Sequence, residues 1–232
     1  NRPVVLKIGP EEKLIEDEAF LLSHYIENSA PVLYKKSLEK KALLIQRAIP
    51  GTHLNSLYPD QLDFVMDTYV ELAKRLHPLS ARKKHFTTFR DLLNSLDHLS
   101  RDFIPKKTIH QALDIKEKLI NESKNEKLLH GDLHLDNILL NGLDWLAIDP
   151  KGVIGELEFE LACFNFISKK ELPNANSSLL KKRITQLANK ANVSIKKLED
   201  YCFIRCMLSV AWFIENKEDY REALFLAELL SK

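Results

Sequence analysis

The chain has 232 residues, room for one large domain or two small ones, and 45% of them are apolar, enough for a substantial core. Its 34 basic residues against 33 acidic ones leave a formal net charge of +1, which gives no electrostatic case for a nucleic-acid partner but leaves room for a locally charged pocket. Three cysteines without a Cys-x-x-Cys pair point away from a disulfide framework and towards a reducing, cytoplasmic setting. No secretory signal is visible, and the longest apolar run, Tyr201 to Ile214, is too short for a bilayer and is interrupted by Arg205. It reads as a core helix with Cys202 and Cys206 as buried thiols, and no membrane partner is expected.

Pro3 to Ile8 has strand composition, interrupted by Lys7. Two readings of Lys7 compete: an edge-strand lysine that discourages aggregation, or a lysine that grips nucleotide phosphates. Glu11 to Asn28 reads as a helix, with Leu14, Ile15, Leu21, Leu22, Tyr25 and Ile26 at helical spacing. Glu18 sits in the middle of that stripe, where a carboxylate is costly unless paired, and Lys7 is its natural partner. Taken alone, a rim position in contact with water serves Glu18 equally well; the downstream motif tips the balance to the ion pair. Val32 to Leu38 and Lys41 to Ala48 read as two further strands, ending at Gln46-Arg47-Ala48 before Pro50-Gly51.

Beyond Tyr58 the pattern turns helical. Leu62 to Leu76 carries one apolar stripe that ends at His77-Pro78; Phe89 to Leu99 and Pro105 to Lys124 follow, the last with Lys106, Lys107, Lys116 and Lys118 on a solvated basic face. Further helices are expected over Glu158 to Ile167, Ser177 to Asn192, Ser194 to Asn216 and Glu218 to Leu230, with Ser194 as an N-cap.

The stretch Leu128 to Glu160 carries the chemistry. His130-Gly131-Asp132 is followed five residues after Asp132 by Asn137, then by a hairpin signal: Ile138 to Leu140, an Asn141-Gly142 turn, and a return strand Trp145 to Ile148. The reversal returns Asp149 to the level of Asn137, beside Asp132. Oxygen donors of this kind suit Mg²⁺, which accepts carboxylate and amide oxygens and leaves positions for phosphate. The kinase catalytic loop has the same H-x-D-x-x-x-x-N spacing, followed by a strand pair and a metal-binding Asp. In that scheme Asp132 is the base, Asn137 and Asp149 are metal ligands, Lys7 contacts phosphates and Glu18 orients Lys7.

HGDLHLDN followed by AIDPKGVIGE resembles the aminoglycoside phosphotransferase family of small-molecule kinases, and within it the streptomycin and hydroxyurea phosphotransferase branch. Glu156 and Glu160 stand where that family usually carries Asp, so any hydrogen bond made there is made with a longer arm. The resemblance implies an α+β, two-lobed protein-kinase-like fold: a small lobe over residues 1–47 and a large, mainly helical lobe with the catalytic hairpin over residues 48–232. It implies transfer of phosphate from ATP or GTP, with Mg²⁺, to a hydroxyl of an aminoglycoside or another small acceptor, the backbone of Gln46, Arg47 and Ala48 reading the nucleotide base. It also implies a phosphate-covering hairpin ahead of the lysine strand. Only six residues precede Lys7, and the chain opens at Asn1 without Met, so a longer native protein or an impaired form is expected.

The acceptor side is less defined. His134, Asp136, Lys151 and Glu215 are candidates for contact with the acceptor or the transferred phosphate, with Glu156, Glu158, Glu218 and Asp219 as further carboxylates for a cationic acceptor. Gly152 and Gly155 fit a loop passing close to a ligand. Two alternatives stand: a metal-dependent hydrolase using His130, Asp132 and His134 around Zn²⁺, and a nucleotide-binding relic without turnover. A monomer is the expected state.

Overall fold

The computed structural model describes residues 3–76, 86–99 and 102–231. The expected helix end at His77-Pro78 lies outside them. Strand β1 (Val4–Ile8) pairs antiparallel with β3 (Ala42–Gln46), which pairs antiparallel with β2 (Leu33–Ser37), giving the order β1-β3-β2. Directly opposed residues share a face of a sheet, so Lys7 opposite Leu43 and Val5 opposite Ile45 share theirs. Leu43 and Ile45 are buried with Ile15, Ala19 and Leu22 of helix α1 (Glu12–His24). Lys7 is thereby delivered to the helix-facing side of the sheet. The helix stops short of the expected Asn28 because Tyr25 turns extended and packs its ring against three separate apolar clusters, burial that outweighs another turn of helix.

The chain then crosses to a second sheet. Strand β4 (Pro50–His53) pairs with β7 (Ile138–Asn141), which pairs with β8 (Asp144–Ala147), in the order β4-β7-β8. A Pro-Gly start disguises β4 as a break in the sequence; Pro is tolerated there because β4 is an edge strand. A third sheet joins β5 (Thr87–Thr88), β6 (Lys127–Leu129) and, between them, β9 (Val153–Gly155). These strands of two or three residues are too short to show an alternating pattern.

Around these sheets lie α2 (Leu62–Arg75), α3 (Phe89–Leu92), α4 (Lys106–Glu122), α5 (Leu157–Leu161), α6 (Ser177–Ala191), α7 (Ile195–Asn216) and α8 (Arg221–Leu230). Thr88 and Asp91 form a capping box that starts α3, but the continuation over Leu93–His98 is a 3₁₀ turn, so the single helix expected from Phe89 to Leu99 is split. The helix expected to reach Ile167 ends at Leu161. The side chains of Asn176 and Ser194 cap α6 and α7, the second as expected. Helix α7 is apolar nearly all round, with Leu198, Tyr201, Phe203, Ile204, Met207 and Leu208 buried, and it packs against α4, α5, α6 and α8. Burial of each such side chain stabilises by about 1.5–3 kcal/mol. No described helix is long and apolar enough to cross a membrane.

Two lysines of the expected basic face are not free. The Lys116 ammonium lies 2.6 Å from Asp97, on a residue only 7% exposed, and Lys118 lies 2.7 Å from Asp200. They tie α4 to its neighbours.

Arg183 of α6 is a buried cation that donates to Glu171, to the Tyr58 hydroxyl (2.7 Å) and to the Phe166 carbonyl (2.7 Å), fixing the segment after α5 to the core. Hydrogen bonds from Arg183, with further ones from Ser168, hold the Glu171 carboxyl down at about 2. A depressed folded value means that the contribution is complete above the ordinary carboxylate range and lost as pH falls towards 2. Arg183→Met takes the guanidinium from Glu171, which keeps only its bonds from Ser168, and from the Phe166 carbonyl, which keeps the Tyr58 hydroxyl, and is expected to cost about 3 kcal/mol in urea unfolding at neutral pH. Glu171→Gln should flatten the loss of stability between pH 4.5 and pH 2 relative to the parent, read from urea midpoints across that range.

Candidate active site

The site begins with the hairpin. Asn141 pairs with Asp144 around Gly142 (φ +62°), and the ladder continues beyond β8, where the Ile148 N–H donates to the Asn137 carbonyl at 2.9 Å. Asp149 follows with φ +60°, a left-handed conformation that Asp adopts more readily than most residues. The turn points its carboxylate at the small sheet, where Oδ1 accepts from Lys7 Nζ at 2.6 Å. The same ammonium lies 2.7 Å from Glu18 Oε2. Glu18 is nearly closed off, with 6% of its side chain exposed, whereas Asp149 retains 41%. Lys7 therefore joins β1, α1 and the hairpin at one point. Burial works against its charge, but the bonds to Asp149 and Glu18 prevail and raise its pKa. Burial raises the Glu18 carboxyl, with Lys7 pulling the other way.

The loop from His130 to Asn137 is held from several sides. His130 is fully buried, its Nε2 2.8 Å from the Ile148 carbonyl and its Nδ1 accepting the Asp132 N–H at 3.3 Å. Burial lowers its pKa, so it stays neutral, and both ring nitrogens are committed. The His130 carbonyl accepts the N–H groups of Lys151 and Gly152 at 2.8 and 3.0 Å. The Gly131 N–H lies 3.2 Å from both carboxylate oxygens of Glu160, so the longer Glu supports the loop from beneath. The Leu135 N–H donates to Asn165 Oδ1 (3.0 Å), and the Asn137 amide donates to the Asp132 carbonyl (2.9 Å).

Asp132 itself is partly exposed, and its Oδ1 accepts from Arg205 Nη2 at 2.8 Å. Arg205 escapes a reading of the local sequence because it lies 73 residues away on α7. The available signal is a charged residue in the middle of an apolar helix, the same signal that singles out Glu18.

The remaining candidates separate into groups. His134 Nε2 is 3.9 Å from Asp132 Oδ2 and its Nδ1 4.0 Å from Asp136 Oδ2; Asp136 is in turn held by Asn55 at 2.8 Å and, through its backbone carbonyl, by His53. These groups rim Asp132. Lys151 lines a small cavity of about 80 Å³ with Lys7, Pro150 and Glu18, which puts it on the lysine side of the cleft. Gln46 and Arg47 line a cavity of about 370 Å³ with Tyr34, Ile49 and Asn141; a roomier one of about 690 Å³, lined by α4 residues and Asp200, contains none of the candidates. Within the connector, the Gln46 and Arg47 N–H groups donate to the Val32 and Pro3 carbonyls, while Ile49 is tied to Asn141 and Gly142 of the hairpin.

Five of the expected ligand-facing residues have other partners or places. Glu156 is buried and accepts from Lys124 N, Asn125 N and the Tyr201 hydroxyl, with Lys197 at 2.7 Å, so it braces the fold instead of facing an acceptor. Glu158 lies 3.8 Å from the same Lys197, and Asp219 pairs with Arg221. Glu215 sits ten residues beyond Arg205 on α7, about 15 Å along the axis, away from Asp132. Gly152 (φ +76°) makes room for Phe86, since a Cβ there would lie 2.5 Å from the ring.

The fold and this arrangement define a kinase-like, two-lobed protein. The model of the aminoglycoside/hydroxyurea antibiotic resistance kinases matches residues 1–217, and the chain belongs to that family. A streptomycin 3''-kinase from Klebsiella pneumoniae is 28% identical over 182 residues, 75% of this chain and 66% of that protein, so the alignment spans just under two thirds of the relative. Among solved structures, the choline kinase LicA from Streptococcus pneumoniae superposes with a TM-score of 0.68 at 14% identity, covering 99% of this chain and 86% of that one. The aminoglycoside phosphotransferase APH(3'')-Id from Streptomyces rimosus, in complex with ADP and streptomycin, gives 0.61 at 15% identity over 88% of this chain and 86% of its own. A thermostable mutant of APH(4)-Ia with ADP and hygromycin B gives 0.70 at 15% identity, covering 99% and 86%. At these identities the structural likeness speaks to the fold.

Gly131 tests the support of the loop. It has φ +86°, and a Cβ there would lie 2.7 Å from Val153 Cγ2. Gly131→Ala should destabilise by about 2 kcal/mol, strain and clash together, and the double variant with Val153→Ala should recover the clash part only, as a double-mutant cycle in urea would show.

Proposed function

We propose that the chain transfers the terminal phosphate of ATP or GTP to a hydroxyl of a small hydroxylated acceptor, with aminoglycosides such as streptomycin as the first candidates. The observation that carries this reading is the grip of Glu18 and Asp149 on one ammonium, Lys7, beside a loop that presents Asp132. We place the lobe boundary at residues 47/48, with the nucleotide base against the backbone of Gln46, Arg47 and Ala48 and its phosphates reaching Lys7. Phosphate oxygens compete with the more exposed Asp149 for Lys7, while buried Glu18 keeps its hold.

Asn137 and Asp149 would hold Mg²⁺. The donor set fits: one amide and one carboxylate on adjoining strand ends, with Asp149 open to solvent, suit an ion that takes few protein ligands and fills its shell with phosphate and water. When bound, the ion offsets negative charge on the phosphates. The chain's own residues do the rest. The acceptor oxygen forms its bond to the terminal phosphorus as the bond to the bridging oxygen breaks, and a nucleoside diphosphate leaves. Asp132 takes the acceptor's proton. His134 and Asp136 contact the acceptor at the rim, Lys151 faces the phosphates, and Glu215 is reached only by an extended acceptor.

The streptomycin 3''-kinase relative and the streptomycin and hygromycin B complexes of structural neighbours support this acceptor class. We place the protein in the cytoplasm as a monomer without nucleic-acid or membrane partners. The zinc hydrolase alternative meets a specific obstacle: His130 has both nitrogens engaged and no route to a shared ion without breaking the loop. A relic would bind nucleotide and transfer nothing.

The test is a coupled assay with ATP and GTP against a panel of acceptors, streptomycin first, in the presence of Mg²⁺. Asp132→Asn should lower kcat by about 10²–10⁴-fold with nucleotide affinity nearly unchanged. Loss of nucleotide binding with retained turnover overturns the assignment. Glu18→Gln should instead weaken Mg²⁺–nucleotide binding by about tenfold in calorimetry, the scale of a lost charge-assisted contact. EDTA should remove turnover, and added Mg²⁺ should restore it.

A further inference from the structure

We infer that Arg205 is a positioning residue for the reaction, holding the Asp132 carboxylate in the one orientation that can take the acceptor's proton. The inference rests on the phosphotransfer reading above. Arg205 stands between Ile204 and Cys206 in the apolar helix α7, with only 16% of its side chain exposed. Its guanidinium carbon lies 5.5 Å from the ring centroid of Phe159 on α5 and 5.5 Å from that of Trp212, about two turns further along α7. Two aromatic faces accept a flat cation and fix its plane. A charge in such a place is costly unless paired, and the pairing here is specific. Nη2 donates to Asp132 Oδ1 at 2.8 Å and Nη1 to the Gly131 carbonyl at 3.4 Å.

The two contacts have different consequences. The backbone of the loop has other anchors: Glu160 on the Gly131 N–H, Asn137 on the Asp132 carbonyl and His130 on the Asp132 N–H. The Asp132 side chain has Arg205 as its close partner, with His134 at 3.9 Å from the second oxygen. Arg205 therefore occupies Oδ1 and turns Oδ2 towards the partly open rim formed by His134 and Asp136. Oδ2 is the oxygen left to receive a hydroxyl proton. Without the guanidinium the loop keeps its place and the carboxylate swings. A misplacement of about 1 Å at a reacting group costs on the order of 10²-fold in rate.

The prediction follows that Arg205 acts on kcat and not on nucleotide binding, the opposite of Lys7 and Glu18. The experiment measures transfer from ATP to streptomycin, and Mg²⁺–ATP affinity by calorimetry, for the parent and for Arg205→Ala, Arg205→Lys and Trp212→Leu. Arg205→Ala should lose about 10²-fold in kcat with KM for ATP within about twofold. Millimolar guanidinium chloride, far below denaturing levels, should restore part of that rate in Arg205→Ala and none in Asp132→Asn. Arg205→Lys keeps the charge without the planar fork and should remain impaired. A purely structural role would lower thermal stability with no response to guanidinium. Parental kcat in Arg205→Ala, or a loss of kcat that guanidinium leaves untouched, overturns the inference. Should Arg205→Ala fail to fold, Trp212→Leu decides: it removes one face of the stack and should lower kcat at unchanged KM for ATP, and parental kcat there overturns the inference. A parent protein that binds Mg²⁺–ATP yet transfers phosphate to no acceptor overturns the phosphotransfer reading itself, a result separate from any effect of Arg205.

Discussion

Everything at the site depends on one half-buried ammonium being shared by two carboxylates. Lys7 comes from the first strand, Glu18 from the first helix and Asp149 from a hairpin 142 residues away. The strand and the helix are joined by three residues, but nothing covalent brings the hairpin to either of them. Glu18 would be expensive at 6% exposure without its partner, because an ionised carboxylate gives up several kcal/mol of hydration on burial. Pairing with Lys7 offsets that cost and fixes where the small sheet sits relative to α1. Asp149, much wetter, contributes less to stability and more to position: its contact draws the hairpin tight against the small lobe. The asymmetry is useful. The buried partner is shielded from competing ligands, while the wetter one is open to them.

The loop from His130 to Asn137 is built on a different principle. It contains few regular hydrogen bonds of its own, so its backbone groups are satisfied from outside by side chains of α5 and the segment after it, chiefly Glu160 and Asn165, and by the buried ring of His130. Glu160 reaches the Gly131 N–H at 3.2 Å with both oxygens and so supports the loop. Glu156 collects two backbone N–H groups, a tyrosine hydroxyl and a lysine. Burial works to raise that carboxyl, yet these donors hold its pKa below the ordinary value, so it remains a charged anchor between α4, α7 and the third sheet.

The parts of this structure that were legible in the sequence are those whose cause is local. An Asn-Gly pair between two apolar runs specifies a hairpin and its register, and the register places Asp149 beside Asn137 without further help. A carboxylate on the apolar stripe of a helix next to a lysine strand leaves an ion pair and a water-facing rim position open, and the His130–Asp149 motif downstream decides for the pair the structure shows. The hidden parts have causes that lie far along the chain. Strands β4, β6 and β9 have three or four residues and take their conformation from partners distant in sequence. Lys116 and Lys118 read as a solvated face because their acidic partners, Asp97 and Asp200, stand on other elements. Phe89 to Leu99 has a helical period, yet tertiary packing divides it into a turn of α-helix and a 3₁₀ segment.

Arg205 shows how such a residue can be recovered. Glu18 and Arg205 pose the same physical problem, a charge among the apolar residues of a helix, and in both cases the solution is a partner of opposite charge at the cleft. The difference is distance: the partner of Glu18 is eleven residues upstream, whereas that of Arg205 is 73 residues away. A charge that survives inside an apolar helix therefore identifies a partner even where the sequence does not say which one. For Arg205 that partner is Asp132, the residue for which the proposed reaction needs a fixed carboxylate. The two helices that carry these misplaced charges, α1 and α7, approach the cleft from the two lobes. One holds Lys7 and the other holds Asp132, so under the proposed reaction the phosphate-gripping and the proton-accepting group are each anchored in the core of its own lobe.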